Sequence, residues 1–459
     1  VVLSVGVEQP PLSLVVVWTK DSAVAAAYRV DAQRWSRLFD ELMDVVGSCF
    51  GRPEPRWRVR DFMAGLLAPL PRKNCWTIAE HADDDGLGGT QDLIGRARWD
   101  DAQVRADVRD FVAVKLGHPE GVLVIDETGD LRKGVHTVGV QRQYSLTAGK
   151  IENCQLAVHL SYASPAGRTL VDVALYLPMS WVYDPGRRVE AGVPDTVGFA
   201  TKSQLARRLI DTALAGGLPC RWVAGDEAYG GDPLLPAALR GHELGYVLAV
   251  ACSHRVPTGL DAQRADQIAA GLPKRAWQRI SAGQGAKGHR YYDWAFVTLP
   301  LAVDEHDGHH WLLIRRNRST GELAFYRCWS PQPVPLHHLV AVAGRRWGIE
   351  ESFQATKTGL GLDQYQHHCW RAWHRHGDPV GGQLAHERVE PFPGRCACDK
   401  YAAARRRTSF SCSRSLIRLR ASHSSADSLP LATTPPWSRS SACCRTTSST
   451  GGPGRPCSS

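Results

Sequence analysis

Along the chain the apolar positions fall first at helical spacing, then at strand spacing, and finally at helical spacing again. Residues 34–47 place Trp35, Leu38, Phe39, Leu42, Met43 and Val46 on one helical stripe. Residues 57–68 repeat the pattern with Val59, Phe62, Met63, Leu66 and Leu67. Asp100 stands where a helix N-cap would, ahead of Val104, Val108, Phe111 and Val112. At Gly121 the texture changes. GVLVID (121–126) is an apolar run of strand length that ends on an acid. NCQLAVHLSY (153–162) and GRTLVDVALYL (167–177) predict two further strands around an ASPAG turn. An amphipathic helix over 201–215, stopped by Gly216 and Gly217, leads into the strand CRWVAGD (220–226), which also ends on an acid. A short helix over 234–239 and the strand GYVLAVAC (245–252) follow. This succession predicts an α/β fold, a mixed sheet with helices on its faces.

Residues 253–335 break the alternation with glycines and three strand-like runs, which predict a small inserted antiparallel sheet. LHHLVAVAGRRWGIEESFQATK (336–357) then reads as one helix, with Pro335 at its mouth and Gly359 past its end. The expected organisation is therefore an irregular extension (1–28), a helical domain (29–118), a first sheet part (119–252), a β-rich insert (253–335), a closing helical part (336–376) and a tail (377–459).

Composition narrows the classes. A 43% hydrophobic and 22% charged chain of 459 residues has the make-up of a soluble globular protein with more than one domain. No apolar run approaches the ~18 residues of a spanning helix. The start lacks the basic flank and cleavage site of a secretion signal, so a cytoplasmic protein away from the membrane is expected. The net charge of +9 invites a polyanion partner, but 12 Lys/Arg against 5 Asp/Glu lie beyond His376, which leaves the rest only +2. Within 29–118, RPEPRWRVR, PRKNCWTIAE and GRARW interleave basic residues with tryptophan. That suits phosphate contacts and base stacking, and equally a helical domain with a solvated basic rim. The cysteines lack zinc-site spacing.

Candidate chemistry sits on the carboxylates. With Arg346 at zero, a helix brings Glu350 to about 40° and Lys357 to about 20°, so one stripe carries an acid between two cations. Asp126 and Asp226 each end a hydrophobic strand, where ligands and catalytic groups collect in α/β sheets. Converging carboxylates call for a hard divalent cation with oxygen ligands, Mg²⁺ or Mn²⁺. Two such ions activate a nucleophile and stabilise the leaving oxygen in phosphodiester cleavage. Glu127, Glu227 and Glu351 adjoin these acids and are expected to point elsewhere, Glu227 being the closest rival.

VLVIDETG, DLRKGVHTVGVQRQYSLTAGKIENCQ, VAGDEAYG and RWGIEESFQATK together resemble bacterial insertion-sequence transposases of the DDE type. The group is the one with a Tyr…Arg…Glu…Lys signature. The likeness runs over about 30–376 and includes RKNCWTIAE. Arg346, Glu350 and Lys357 match the signature spacing, while Ala343 stands where the tyrosine belongs. The resemblance implies a ribonuclease-H-like core with Asp126, Asp226 and Glu350 holding two metal ions, and a helical DNA-binding domain ahead of it. It implies that Arg346 and Lys357 contact the DNA end, with Trp347 beside them. Arg132 and Lys133, on the loop after Asp126, are further candidates for phosphate contact. The implied partners are double-stranded DNA, as terminal repeats and target, and a second copy of the chain. A nuclease without transposition, or an inactive DNA-binding remnant, are the alternatives. One tryptophan of Trp294, Trp311 and Trp329 is a candidate to stack on a flipped base, the others being core. Beyond His376 the apolar periodicity ends in Ser, Arg, Pro, Gly and Cys, which suggests a shifted reading frame, the alternative being a natural basic arm for DNA.

Overall fold

The computed structural model describes residues 32–381, apart from 85, 146–147, 260, 286–287 and 301–307. The expected extension over 1–28 and the tail beyond 381 lie outside the described residues. Five helices come first: α1 (Ala32–Gly47), α2 (Pro53–Leu67), α3 (Cys75–His81), α4 (Gly88–Gly95) and α5 (Asp101–Leu116). Their starts are chemically marked. Proline opens α2, Asn74 and Thr77 close a capping box on α3, and Asp100 accepts from the Ala102 amide at 2.9 Å ahead of α5. Phe39, Leu42, Phe62, Met63, Ile78, Ile94 and Val104 form their shared core. The basic, tryptophan-rich stretches divide between inside and outside. Trp57 and Trp76 are exposed, whereas Trp99 packs at a tilt against Phe50 and donates to the Leu93 carbonyl. Lys73 is turned inward, where its ammonium caps the C-terminal carbonyls of Leu66 and Ala68, and burial lowers its pKa to about 8.

The sheet follows: β1 (Val122–Leu131), β2 (Gln141–Ser145), β3 (Lys150–Ser164) and β4 (Gly167–Leu175), then the helices α6 (Met179–Val182), α7 (Pro185–Ala191) and α8 (Lys202–Ala215). The strand β5 (Trp222–Gly225) leads through α9 (Glu227–Gly230) and α10 (Leu234–Gly241) to β6 (Gly245–Val250). β3 runs antiparallel to both β4 and β1, while β1, β5 and β6 are parallel. The order β4-β3-β1-β5-β6 is the ribonuclease-H-like arrangement expected. One face packs on α8 and α10 through Leu123, Ile125, Leu205, Leu209 and Leu239. The other packs on the closing helices α12 (Leu336–Arg345) and α13 (Trp347–Leu360) through Val122, Val124, Leu339, Val340 and Ile349.

The insert departs from expectation. After the small pair β7 (Arg255–Pro257) and β8 (Ala262–Arg264) and the helix α11 (Ala265–Ala270) come β9 (Gln278–Gly285), β10 (Gly288–Leu299), β11 (His309–Arg316) and β12 (Leu323–Ser330). These last four are not a separate sheet. β12 pairs with the free edge of β6, Phe325 opposite Val250 and Trp329 opposite Tyr246, so they extend the core sheet to ten strands. An edge strand leaves a row of unpaired amides and carbonyls, and the insert satisfies them. Trp294, Trp311 and Trp329 are all buried, which places all three in the core and removes the base-stacking role. A last helix, α14 (Trp370–Gly381), runs past the expected boundary at 376. No helix among the described residues is long and apolar enough to cross a membrane.

Three buried histidines set a pH limit on this fold. Burial pushes the pKa of His159 from 6.5 to about 3, that of His374 to about 4 and that of His376 to about 3. Folded, these rings stay neutral, whereas the unfolded chain takes up protons below 6.5, so stability is present above that pH and is lost as pH falls. The thermal midpoint is expected to drop between pH 6.5 and 5, with about 1–2 kcal/mol lost per histidine by pH 5. His376→Asn should flatten that slope. A midpoint unchanged from pH 7 to 5 would mean that the rings protonate without cost.

Candidate active site

Strand pairing puts the first two acids side by side. β1 and β5 run parallel with Ile125 opposite Gly225, so the next residues, Asp126 and Asp226, are neighbours where that pairing stops. β1 itself does not end there, as the sequence suggested. It continues to Leu131 on its pairing with β3, with Asp126 opposite His159. Asp226 leaves the sheet and caps α9, accepting from the Ala228 amide at 2.9 Å.

The third acid arrives on α13, and here the single helix expected over 336–357 is two. Two contacts mark the joint, at Arg346. Gly344 lies so close to β9 that a Cβ there would sit 2.1 Å from the Ala282 carbonyl oxygen. Arg290 of β10 donates to the Gly344 carbonyl at 3.2 Å, a carbonyl that also accepts from the Arg346 amide. Arg346 keeps helical dihedrals across the joint, and its side chain turns into the space between the acids.

All three acids face that one guanidinium. Arg346 Nη2 is 3.0 Å from Asp126 Oδ2 and 3.9 Å from Asp226 Oδ2, and Nη1 is 3.2 Å from Glu350 Oε1. Asp126 is only 2% exposed, so water cannot screen it. Burial by itself would lower the Arg346 pKa, but Asp126, Glu350 and Asp226 carry it above its ordinary value. Among the described residues no group of three or more His, Cys, Asp or Glu side chains stands in metal-ligand geometry, since here the oxygens address a guanidinium. The donor set itself, three carboxylates without sulfur or imidazole, fits a hard divalent cation.

Of the adjacent acids, Glu127 and Glu351 have partners of their own. Strand alternation turns Glu127 to the opposite face, where it accepts from Lys202 at 2.5 Å and from the Tyr229 hydroxyl at 3.0 Å. Glu227 is exposed, its pKa raised by partial burial and by Asp226. Glu351 pairs with Arg168 at 2.6 Å and accepts from Trp347 Nε1 at 3.2 Å.

The candidate DNA-contacting residues are more dispersed. Lys357 reaches Asp130 at 2.8 Å, away from the acid triad. Arg132 lies over the Tyr365 ring at 3.8 Å and donates to the Asp363 and Tyr365 carbonyls. Lys133 is exposed, and Trp347 is half-buried beneath Arg290. Asp130 thus gathers a second cluster that the sequence reading missed. The signal was present: in VLVIDETGDL, period-2 alternation puts Asp126, Thr128 and Asp130 on one face. The Glu127–Lys202–Tyr229 group had no such signal, because its members lie far apart in the chain.

Similarity to known proteins bears on the same region. Over 195 residues the chain is 30% identical to a protein of Microchaete diplosiphon described as a probable transposase for insertion sequence element IS701. The match covers 42% of this chain and 48% of that protein, so the chain spans about half the length of this curated relative. Among solved structures, the NurA nuclease from Sulfolobus solfataricus is matched over 50% of this chain and 74% of its own, at a TM-score of 0.26 and 8% identity, too loose an overlap to argue from. A family model for DDE superfamily endonucleases matches residues 45–293, which takes in Asp126 and Asp226 and stops short of Glu350. Spanning more than half of the chain and both strands that bring those two aspartates together, that match makes this protein a member of the DDE superfamily endonucleases.

Proposed function

We propose that the chain is a transposase that cleaves DNA at the ends of an insertion element and joins them to target DNA. The observation that carries the reading is the meeting of Asp126, Asp226 and Glu350, from three separate elements, around one guanidinium where the β1–β5 pairing stops. These three would hold two Mg²⁺ or Mn²⁺ ions, which when bound supply an activated water or 3′-hydroxyl and charge stabilisation for the leaving oxygen. The chain's own residues do the positioning. Asp126 and Asp226 are fixed by strand register, and Glu350 is presented by a helix packed on the same face. Arg346, Lys357, Trp347, Arg132 and Lys133 are assigned to the DNA end, and residues 29–118, with exposed Trp57 and Trp76 among arginines of α2 and its neighbours, to the duplex beside it. Joining two ends to one target implies two copies of the chain on cytoplasmic DNA.

The test is nicking of a terminal-repeat duplex in Mg²⁺ by wild type and Asp226→Ala. Loss of product in the variant is expected, and equal product from both would remove the metal site. Capture of a target duplex distinguishes a transposase from a nuclease that only cuts.

A further inference from the structure

We propose that Arg346 is an internal counter-ion which holds the acid triad in the metal-free protein and is expelled when divalent cations enter, so that metal loading and release of this guanidinium are one event. The proposal rests on the metal-site reading above. Three carboxylates converge on two nitrogens of a single side chain, all within 4 Å. Without a cation among them they would repel one another, and Asp126, buried as it is, would bear most of the cost. Arg346 removes that repulsion. The remaining nitrogen, Nε, is buried without a hydrogen-bond partner, so the acids supply the guanidinium's hydrogen bonds within this pocket.

A guanidinium and a divalent cation compete for these oxygens. Mg²⁺ needs oxygen ligands at about 2.0–2.1 Å, inside the space the guanidinium takes up, and the like charges repel. Once its acceptors turn to a metal, Arg346 is left as a buried cation in need of another anion. Its fork-shaped donor set matches the oxygens of a phosphodiester. It stands at the α12–α13 joint with helical dihedrals, so its side chain can reorient without a change in the backbone.

The experiment measures Mn²⁺ binding to the full chain without DNA, by calorimetry or paramagnetic resonance. Arg346→Met, which keeps the unbranched stem and removes the charged end, is expected to bind Mn²⁺ about tenfold tighter or more than wild type, and Arg346→Lys to stay near wild type. Equal or weaker binding by folded Arg346→Met overturns the proposal. A second measurement needs no variant at this position: phenylglyoxal modification of Arg346, followed by mass spectrometry of its peptide. Saturating Mn²⁺ should raise that modification several-fold in wild type and leave it unchanged in Asp226→Ala. Protection that Mn²⁺ does not alter in wild type refutes displacement while leaving the metal site standing. Mn²⁺ binding that Asp226→Ala leaves intact, or no binding by wild type, removes the metal site and this proposal with it.

Discussion

Asp126→Asn is expected to leave the fold standing and to lower divalent-dependent cleavage by more than about 10²-fold. Asparagine matches the aspartate in shape. Its carbonyl oxygen can still accept from the Glu127 amide, a bond now 2.9 Å long, so the local geometry of β1 has little reason to change. Arg346 keeps Glu350 and Asp226 as partners, so no buried cation is stranded. What disappears is one anionic ligand. Removing even an outer-shell partner of a metal ligand costs about 10–100-fold, and a direct ligand should cost more. Single-turnover nicking alongside thermal melting separates the two effects. A variant that cuts within about threefold of wild type would exclude Asp126 from the chemistry, and one that fails to fold would show that the acid is primarily structural. Asp130→Asn is the useful contrast, because Asp130 pairs with Lys357 away from the triad.

Gly344→Ala should be the most damaging small substitution in the closing helices. The added carbon would sit 2.1 Å from the backbone oxygen of Ala282 and 2.8 Å from its carbonyl carbon. Backbone of a paired strand cannot swing aside as a flexible side chain does, so α12 has to move away from β9. Overpacking of this kind costs about 3 kcal/mol. Because Arg346 is two residues on, the same displacement should misplace the triad and reduce cleavage. Gly359→Ala provides the control: nothing lies within 4 Å of its added carbon, and alanine in a helix is favoured over glycine by about 0.5–1 kcal/mol. Chemical denaturation of the two variants decides the matter, since equal midpoints would mean that the α12–β9 contact is looser than it looks.

The contrast between these glycines shows what the sequence could and could not reveal. Asp126 and Asp226 stood out because each closes an apolar run, a local property that survives in the fold even though β1 runs on past the first of them. Glu350 followed from helical geometry, since its spacing from Arg346 needs only a continuous turn. The joint in that helix was illegible, because the carbonyl there is claimed by Arg290, 54 residues earlier. Equally hidden was the pairing of β12 with β6, which depends on an edge the rest of the sheet leaves open. Lys357 shares a stripe with Glu350 on the helix, yet it meets Asp130, because seven residues carry it about 10 Å along the axis, past the triad. Local pattern located the acids; the cations were sorted by contacts between distant segments.

Leu360, Leu362 and Ala372, near the end of the described chain, pack into the same apolar cluster as Phe39, Phe62 and Val104. Synthesis runs from the N-terminus, so the first helices leave the ribosome long before the residues that seal their interior. Until residues 360–372 have been made, the nascent helical region lacks part of its apolar packing. The packing of the first helices is therefore completed only by residues made after the whole sheet between them.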